Sequence, residues 1–272
     1  MTANEWLKAA EKQLTISGIG TARLDALVLL EHVTKKNRAW LLANPDYNIP
    51  DKQQAVLNNV LNRRGGHEPL AYIRGHTEFY GRKFLLTTAV LEPRPESETM
   101  IDLLKKLPDM PDKPRIADIG AGSGAIGITA MLELPGTEID LIEVAAEALE
   151  VAILNVDKFT LGIKVIKSDL LAQTDEQYDI LLCNLPYVPD NYHINEAANR
   201  EPRIAIFGGQ DGLDVYRRLF QQVKNLAWKP LYILTESLPP QHSTLRAIAR
   251  RYDYNLHDEN DFIQVFSQKL KL

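Results

Sequence analysis

Residues 115–127 read Arg115-Ile116-Ala117-Asp118-Ile119-Gly120-Ala121-Gly122-Ser123-Gly124-Ala125-Ile126-Gly127, and this stretch decides the fold. Arg115–Ile119 is a short apolar run of strand type. Three glycines at alternate positions follow, where the backbone can pass close to a ligand with no Cβ in the way. Apolar residues then recur at helical spacing through Leu134. A strand, a glycine turn and a helix N-terminus with unpaired N–H groups form the place where open α/β sheets bind nucleotides.

The same alternation continues downstream. Glu138–Val144 reads as a strand and Ala146–Phe159 as a helix with Leu149, Ala152 and Ile153 on one face. Lys164–Lys167, Tyr178–Cys183, Leu231–Thr235 and Phe262–Ser267 read as further strands, with helices over Leu213–Ala227 and Leu245–Tyr252. Strands alternating with helices predict a mostly parallel sheet covered on both faces. Upstream the pattern is purely helical. Leu7, Ala10 and Leu14 recur at helical spacing and stop at Ser17-Gly18. A second helix starts near Thr21, with Leu24, Leu27 and Val28 on one face. A third opens at Pro50-Asp51, carries Val56, Leu57, Val60 and Leu61, and stops at Gly65-Gly66. Aromatic residues around Gly81 suggest a hairpin. A helix after Pro95 buries Met100, Leu103, Leu104 and Leu107.

Gly122-Ser123-Gly124-Ala125-Ile126-Gly127 also satisfies G-x-G-x-x-G, so the loop alone does not choose between cofactors. Glu143 ends the second strand at about the offset expected of an acid that grips a ribose. Asp118 separates the possibilities. A carboxylate before the glycines suits a positively charged ligand end, whereas a pyrophosphate favours amide N–H groups. Asp169 ends the third strand, where it can contact an adenine edge or cap the segment from Leu170.

Asn184-Leu185-Pro186-Tyr187 follows the run Ile180–Cys183. Pro186 pushes Leu185 into an extended conformation and so fixes its carbonyl. Asn184 adds a side-chain acceptor. Two adjacent acceptors can hold both hydrogens of an NH₂ group, and Tyr187 offers a flat face to a planar substrate. An amide or aromatic amine nitrogen is a poor nucleophile because its lone pair is delocalised. Two fixed acceptors turn that lone pair toward an electrophile such as a sulfonium methyl, so alignment and desolvation carry the chemistry.

These residues resemble a known family. Asp118–Gly124 looks like the first motif of class I S-adenosylmethionine-dependent methyltransferases, and Asn184–Tyr187 resembles their Asn-Pro-Pro-Tyr amino-methylation motif. Arg63-Arg64, Glu68–Ile73, Gly75 and Glu78–Gly81 resemble the N-terminal domain of the peptide chain release factor glutamine methyltransferases, the PrmC/HemK family. Pro93-Arg94-Pro95-Glu96-Ser97-Glu98 resembles that family's Pro-Arg-Pro-Glu-Thr-Glu. Glu201-Pro202-Arg203, Gly208-Gly209 and Asp211-Gly212-Leu213 resemble its loop after the catalytic motif. Gly208-Gly209-Gln210 happens to spell a Gly-Gly-Gln tripeptide and reads as part of that loop.

The resemblance implies a Rossmann-like α/β methyltransferase domain over 96–272, a mostly parallel seven-stranded sheet with helices on both faces. A helical substrate-recognition bundle over 1–75 and a β-hairpin linker over 76–95 would precede it. It implies S-adenosylmethionine as cofactor, with Asp118, Gly120, Ala121, Gly122, Ser123, Gly124, Glu143, Asp169, Leu170 and Asn184 around it. Asn184, Leu185, Pro186 and Tyr187 would be the catalytic set. The substrate would be the glutamine of a release factor's Gly-Gly-Gln motif, methylated on its side-chain nitrogen. Leu185 replaces the motif's first Pro, Glu143 replaces the usual Asp, and Leu170 stands where the family often has an aromatic. The alternatives are an adenine-N6 RNA or DNA methyltransferase and a catalytically weak module that docks a translation factor. A nicotinamide-dependent dehydrogenase rests on Gly122–Gly127 alone.

Composition bounds these readings. The chain has 272 residues, 45% hydrophobic and 25% charged, which excludes a disordered chain or a small disulfide scaffold. Its net charge of −5 argues against a nucleic-acid coat, so no stable nucleic-acid binding is expected. The single cysteine, Cys183, fits a reducing cytoplasm. The N-terminus lacks a basic segment followed by an apolar one, so no signal peptide is expected. A monomeric, cytoplasmic enzyme with no membrane association and no metal is the expectation.

Overall fold

The computed structural model describes residues 1–268. The chain forms two compact units: Met1–His76 with Ile194–Arg200, and Thr77–His193 with Glu201 onward. Among the described residues no helix is long and apolar enough to cross a membrane.

The first unit is helical. It contains α1 (Ala3–Ile16), α2 (Ala22–Thr34), α3 (Arg38–Ala43), α4 (Asp51–Gly65) and α5 (Leu70–Arg74). Thr2 starts α1 with a capping box, its hydroxyl accepting from Glu5 N while Glu5 accepts from Thr2 N. Trp6, Ala10, Leu14, Ala26, Leu29, Leu30, Leu57 and Leu61 form the core. Leu24 and Val56 are exposed, contrary to the helical faces read from the sequence. The apolar surface of α2 is nearly continuous, and Ala26, Leu29 and Leu30 turn inward instead. The short α3 and α5 were not anticipated. Asp25 is buried on α2, and Arg64 on α4 donates to it at 2.7 Å. His67 reaches Glu196 at 2.8 Å and Arg200 donates to the Gly66 carbonyl at 2.9 Å, which fastens Ile194–Arg200 to this unit.

The second unit begins with the expected hairpin, β1 (His76–Phe79) and β2 (Arg82–Leu85). Tyr80 and Gly81 both have positive φ, which matches the turn to the twist of the strands. A single 3₁₀ turn, Pro95–Ser97, leads into α6 (Glu98–Leu104). The chain then alternates: β3 (Arg115–Ile119), α7 (Ala125–Glu133), β4 (Glu138–Glu143), α8 (Ala146–Phe159), β5 (Lys164–Lys167) and β6 (Ile180–Cys183). Next come the short α9 (Arg203–Ile206), α10 (Asp214–Asn225), β7 (Tyr232–Glu236), α11 (His242–Arg250), β8 (Tyr254–Asn260) and β9 (Ile263–Gln268).

The seven strands run in the order β5-β4-β3-β6-β7-β9-β8, the first five parallel and β9 antiparallel to both its neighbours. The expected seven-stranded sheet is therefore present. Its side chains alternate between two cores. Leu182, Leu141 and Val265 pack with Met100 and Ile128 on one face. Leu181, Cys183 and Ile119 pack with Tyr216, Phe220 and Leu245 on the other. The face of α8 differs from the reading: Ile153 is exposed, while Ala148, Val151, Ala152, Asn155 and Val156 are buried.

Topology fixes where a ligand can lie. β3 pairs with β4 on one side and with β6 on the other, so the strand order reverses between β3 and β6. A crevice opens at such a switch point, beyond the carboxyl ends of the strands. Ile119 and Cys183 are register partners there, which brings the glycine loop beside Asn184.

Candidate active site

A cavity of about 370 Å³ occupies the switch point, wholly within the second unit. Gly120, Ala121, Gly122 and Ser123 line it, as do Glu143, Asp169, Leu170, Asn184, Leu185 and Pro186. Gly124 is not on the wall. It starts α7, and a Cβ there would meet Leu141 and Ile128, so it serves helix–sheet packing. Gly122 has φ +55° and open space where a Cβ would be, so a side chain there would be strained and would enter the cavity.

The loop amides are partly committed. Gly120 N and Ala121 N donate to the Ile142 carbonyl at 2.8 and 3.0 Å, and Gly122 N donates to Glu143 Oε2 at 3.0 Å. These N–H groups hold the loop to β4. The other Glu143 oxygen, Oε1, accepts from Val144 N at 2.8 Å and Ala145 N at 2.9 Å. Three of a carboxylate's roughly four acceptor positions are thus used. The last belongs to Oε2, on the side chain that lines the cavity.

Asp118 is buried behind the loop and does not line the cavity. Its Oδ2 accepts from Gly127 N at 2.7 Å. Burial pushes its carboxyl up to about 7; the Gly127 bond opposes the rise and the Glu143 charge adds to it. Asp169 lines the cavity and is ion-paired with Arg218 of α10, another wall residue. No helix follows Asp169; a turn with Leu170 at φ +56° does.

Asn184 sits where the cavity meets the end of β6. Its Nδ2 donates to Ser97 Oγ at 2.9 Å, and Ser97 Oγ donates to Glu236 Oε2 at 2.6 Å. Tyr187 lies off the cavity wall, with its hydroxyl donating to Glu236 Oε1 at 2.9 Å. Burial, the Glu236 charge and this bond push the Tyr187 phenol far up, so it stays protonated. Tyr216 is buried below. Its hydroxyl accepts from Leu185 N and Glu236 N at 3.3 Å, and lies 2.6 Å from the Glu236 carbonyl and 2.9 Å from that of Cys183. One side chain thereby ties together the ends of β6 and β7.

Ser97, Glu236, Tyr216 and Arg218 carry no role in the sequence reading. In the sequence Ser97 stands out only as part of the Pro93–Glu98 motif, and Glu236 lies one residue past the strand read over Leu231–Thr235.

Residues 5–75 match the family model described as the PrmC N-terminal domain, and residues 97–200 match that of the methyltransferase small domain. The release factor glutamine methyltransferase of Koribacter versatilis is 32% identical over 255 residues, covering 90% of this chain and 91% of that protein. That of Coxiella burnetii is 34% identical over 239 residues, covering 87% and 86%. The chain belongs to the release factor glutamine methyltransferase family. A solved methyltransferase structure from Pyrococcus furiosus covers 81% of this chain and all of its own at a TM-score of 0.53 and 14% identity, which supports the fold.

Within the second unit, segments that resemble this release factor glutamine methyltransferase family are joined to one another. Arg94 donates to Glu201 Oε1 at 2.7 Å, joining the Pro93–Glu98 motif to the loop after Asn184–Tyr187. Glu98 Oε1 accepts from Tyr80 N at 2.6 Å, joining the same motif to the hairpin. Gly208 explains the tripeptide. An added Cβ would sit 2.2 Å from the Pro186 carbonyl oxygen and 2.3 Å from that of Gly212, so the glycine lets two loops touch. Gln210 is exposed and does not line the cavity.

Proposed function

We propose that this chain transfers a methyl group from S-adenosylmethionine to the side-chain amide nitrogen (N5) of the glutamine in the Gly-Gly-Gln motif of a peptide chain release factor. The observation that carries the reading is the Asn184 amide, anchored through its nitrogen at the edge of the glycine-loop cavity. An amide held that way keeps its oxygen as an acceptor for a substrate NH₂.

The cavity suits the cofactor. Gly122 leaves its wall free of side chain, Glu143 Oε2 retains room for a ribose hydroxyl, and Leu170 offers an apolar side to an adenine. Asp118 acts on a cationic end from behind the glycines, by its charge and not by contact. When bound, the cofactor supplies a methyl on a positively charged sulfur, and the sulfur leaves as a neutral thioether. Everything else falls to the chain. Asn184 Oδ1 and the Leu185 carbonyl accept the two hydrogens of the substrate amide and turn its nitrogen lone pair toward the methyl. Pro186 and Tyr216 fix the backbone that presents the Leu185 carbonyl. Tyr187, off the cavity wall with its hydroxyl fixed on Glu236, would pack on the amide plane from the substrate side. The nitrogen gives up a proton to water as the C–N bond forms, which needs no strong base.

The same reading has residues 1–75 recognise the release factor and residues 76–95 link them to the catalytic domain at 96–272. It has the enzyme work as a cytoplasmic monomer without stable nucleic-acid binding, in keeping with the net charge of −5.

The test is methyl transfer. The protein is incubated with S-adenosylmethionine and a release factor, and the modified residue is mapped by mass spectrometry. One methyl on a single glutamine is expected. Asn184→Ala should abolish transfer while sparing cofactor binding; full rate in that variant would overturn the clamp.

A further inference from the structure

An asparagine amide can sit in either of two nearly isosteric orientations. Only one of them offers an acceptor to a substrate NH₂. The opposite flip aims two N–H donors at two more and blocks the reaction. Something must choose, and the chain carries a selector.

We infer that Ser97 and Glu236 are positioning residues that lock the Asn184 amide with its oxygen toward the reacting nitrogen. The inference rests on the function proposed above. Its logic is a count of protons. Glu236 is buried at the end of β7, and its two oxygens face Ser97 Oγ at 2.6 Å and Tyr187 Oη at 2.9 Å. An ionised carboxylate only accepts, so both hydroxyls must donate to it. Ser97 has one hydrogen, and this use consumes it. Toward Asn184, 2.9 Å away, Ser97 Oγ can only accept. Asn184 must therefore present Nδ2 to Ser97, and Oδ1 is left for the cavity that Asn184 lines. The ionisation of a carboxylate in β7 thus reaches the orientation of the amide through the Ser97 hydroxyl, and the Asn184 amide hydrogen bond to Glu236 favours the same orientation.

Protonation of Glu236 undoes the selection. A carboxylic acid donates one hydrogen, which frees the Ser97 hydroxyl to donate to Asn184 and lets the amide turn. Burial raises the Glu236 carboxyl above the usual carboxylate range; hydrogen bonds from Ser97, Tyr187 and Asn184 oppose the rise and the charge of Glu96 adds to it. Glu96 and Tyr187 are the titratable side chains that face it, and Tyr216 touches only its backbone. Methyl transfer should accordingly lose kcat on an acid limb that belongs to Glu236.

The experiment uses the full chain as wild type, Ser97→Ala, Ser97→Thr and Glu236→Gln. Two readouts are taken: steady-state methyl transfer to a release factor, and the side-chain amide NMR signal of Asn184 in ¹⁵N-labelled protein. Ser97→Ala should lower kcat by about 10²-fold, the scale of a misplaced reacting group, with S-adenosylmethionine affinity unchanged. Ser97→Thr keeps the hydroxyl and should recover most of that loss. The acid limb of kcat should vanish in Glu236→Gln. The Asn184 amide signal should shift with pH in wild type and not in Glu236→Gln. That last measurement needs no turnover, so it decides the relay even if the wild type methylates no release factor, a result that would overturn only the function. A wild-type kcat in Ser97→Ala, or an Asn184 signal indifferent to pH in the wild type, overturns the relay.

Discussion

Arg94 and Glu201 lie 107 positions apart, and the Arg94 guanidinium donates to Glu201 Oε1 at 2.7 Å. The pair is lopsided: 2% of the Glu201 side chain is exposed against 35% of Arg94. Burial raises the Glu201 carboxyl above its ordinary range, and Arg94 pulls it back without cancelling the rise. Truncating the two partners should therefore cost different amounts. Arg94→Ala leaves a buried carboxylate without its charge partner, which costs about 3–5 kcal/mol. Glu201→Gln leaves a partly hydrated guanidinium beside a neutral amide and should cost less. A carboxyl raised by folding is favourable below its ordinary range, and that contribution is lost as pH rises through the folded value. The melting-temperature deficit of Arg94→Ala should thus widen from acid to neutral pH. Equal deficits for the two variants at neutral pH would contradict the asymmetry.

Two glycines should separate binding from chemistry. Gly122 combines φ +55° with open space toward the cavity, so Gly122→Ala should weaken S-adenosylmethionine affinity. The left-handed φ also costs an alanine about 1–2 kcal/mol of stability. Gly208→Ala instead pushes on the Pro186 carbonyl, whose neighbour Leu185 supplies the proposed acceptor. It should lower kcat more than it lowers cofactor affinity. Calorimetric titration and steady-state kinetics on both variants give the split, and matching profiles would refute it.

Asp118 makes cofactor binding depend on pH. Its carboxyl is pushed up to about 7, so near neutrality it is only partly ionised. A cationic ligand end favours the charged form. Affinity for S-adenosylmethionine should rise between about pH 6 and about pH 8 and stay flat over that range in Asp118→Asn. Stability should move the other way. A raised folded pKa favours the fold below the ordinary value of about 3.9, and that advantage disappears as pH passes about 7. Asp118→Asn lacks the buried charge, so its stability relative to wild type should climb from about pH 4 to about pH 7 and level off above that. A wild-type affinity independent of pH would remove Asp118 from the cofactor's surroundings.

The legible part of the site was the local part. The glycine turn after β3 and the tetrapeptide after β6 could be read because each is contiguous and each ends a strand. That both ends meet is a matter of strand order, which alternation alone does not give and the β3–β6 pairing supplies. The supporting residues were hidden because the chain brings them from far away: Ser97 lies 87 positions from Asn184 and 139 from Glu236. Hydrophobic periodicity failed where a polar residue holds the buried face. Asn155 is buried in α8, with its Nδ2 donating to the Leu85 and Ser123 carbonyls and its Oδ1 accepting from Leu85 N. It takes the place that an apolar stripe would fill, and Ile153 turns out to solvent. β8 escaped for a related reason. Its outer residues are mostly polar, and a bulge between Leu256 and Asp258 breaks its alternation.

Tyr216 offers a test of the scaffold that no titration should disturb. Its hydroxyl accepts from Leu185 N and Glu236 N and donates within reach of two strand-end carbonyls. Tyr216→Phe leaves those groups buried without their partner, which costs about 1–3 kcal/mol. A unit of this size loses about 2–4 °C of melting temperature per kcal/mol. The Leu185 carbonyl would also lose its fixed direction, so kcat should fall while S-adenosylmethionine affinity holds. Burial holds the Tyr216 phenol far above its ordinary range, so the hydroxyl keeps its proton at every pH where the enzyme is folded. The ratio of wild-type to Tyr216→Phe kcat should therefore be the same on the acid limb and on the plateau. A ratio that changes with pH would mean that Tyr216 acts through Glu236 and not through the backbone of Leu185.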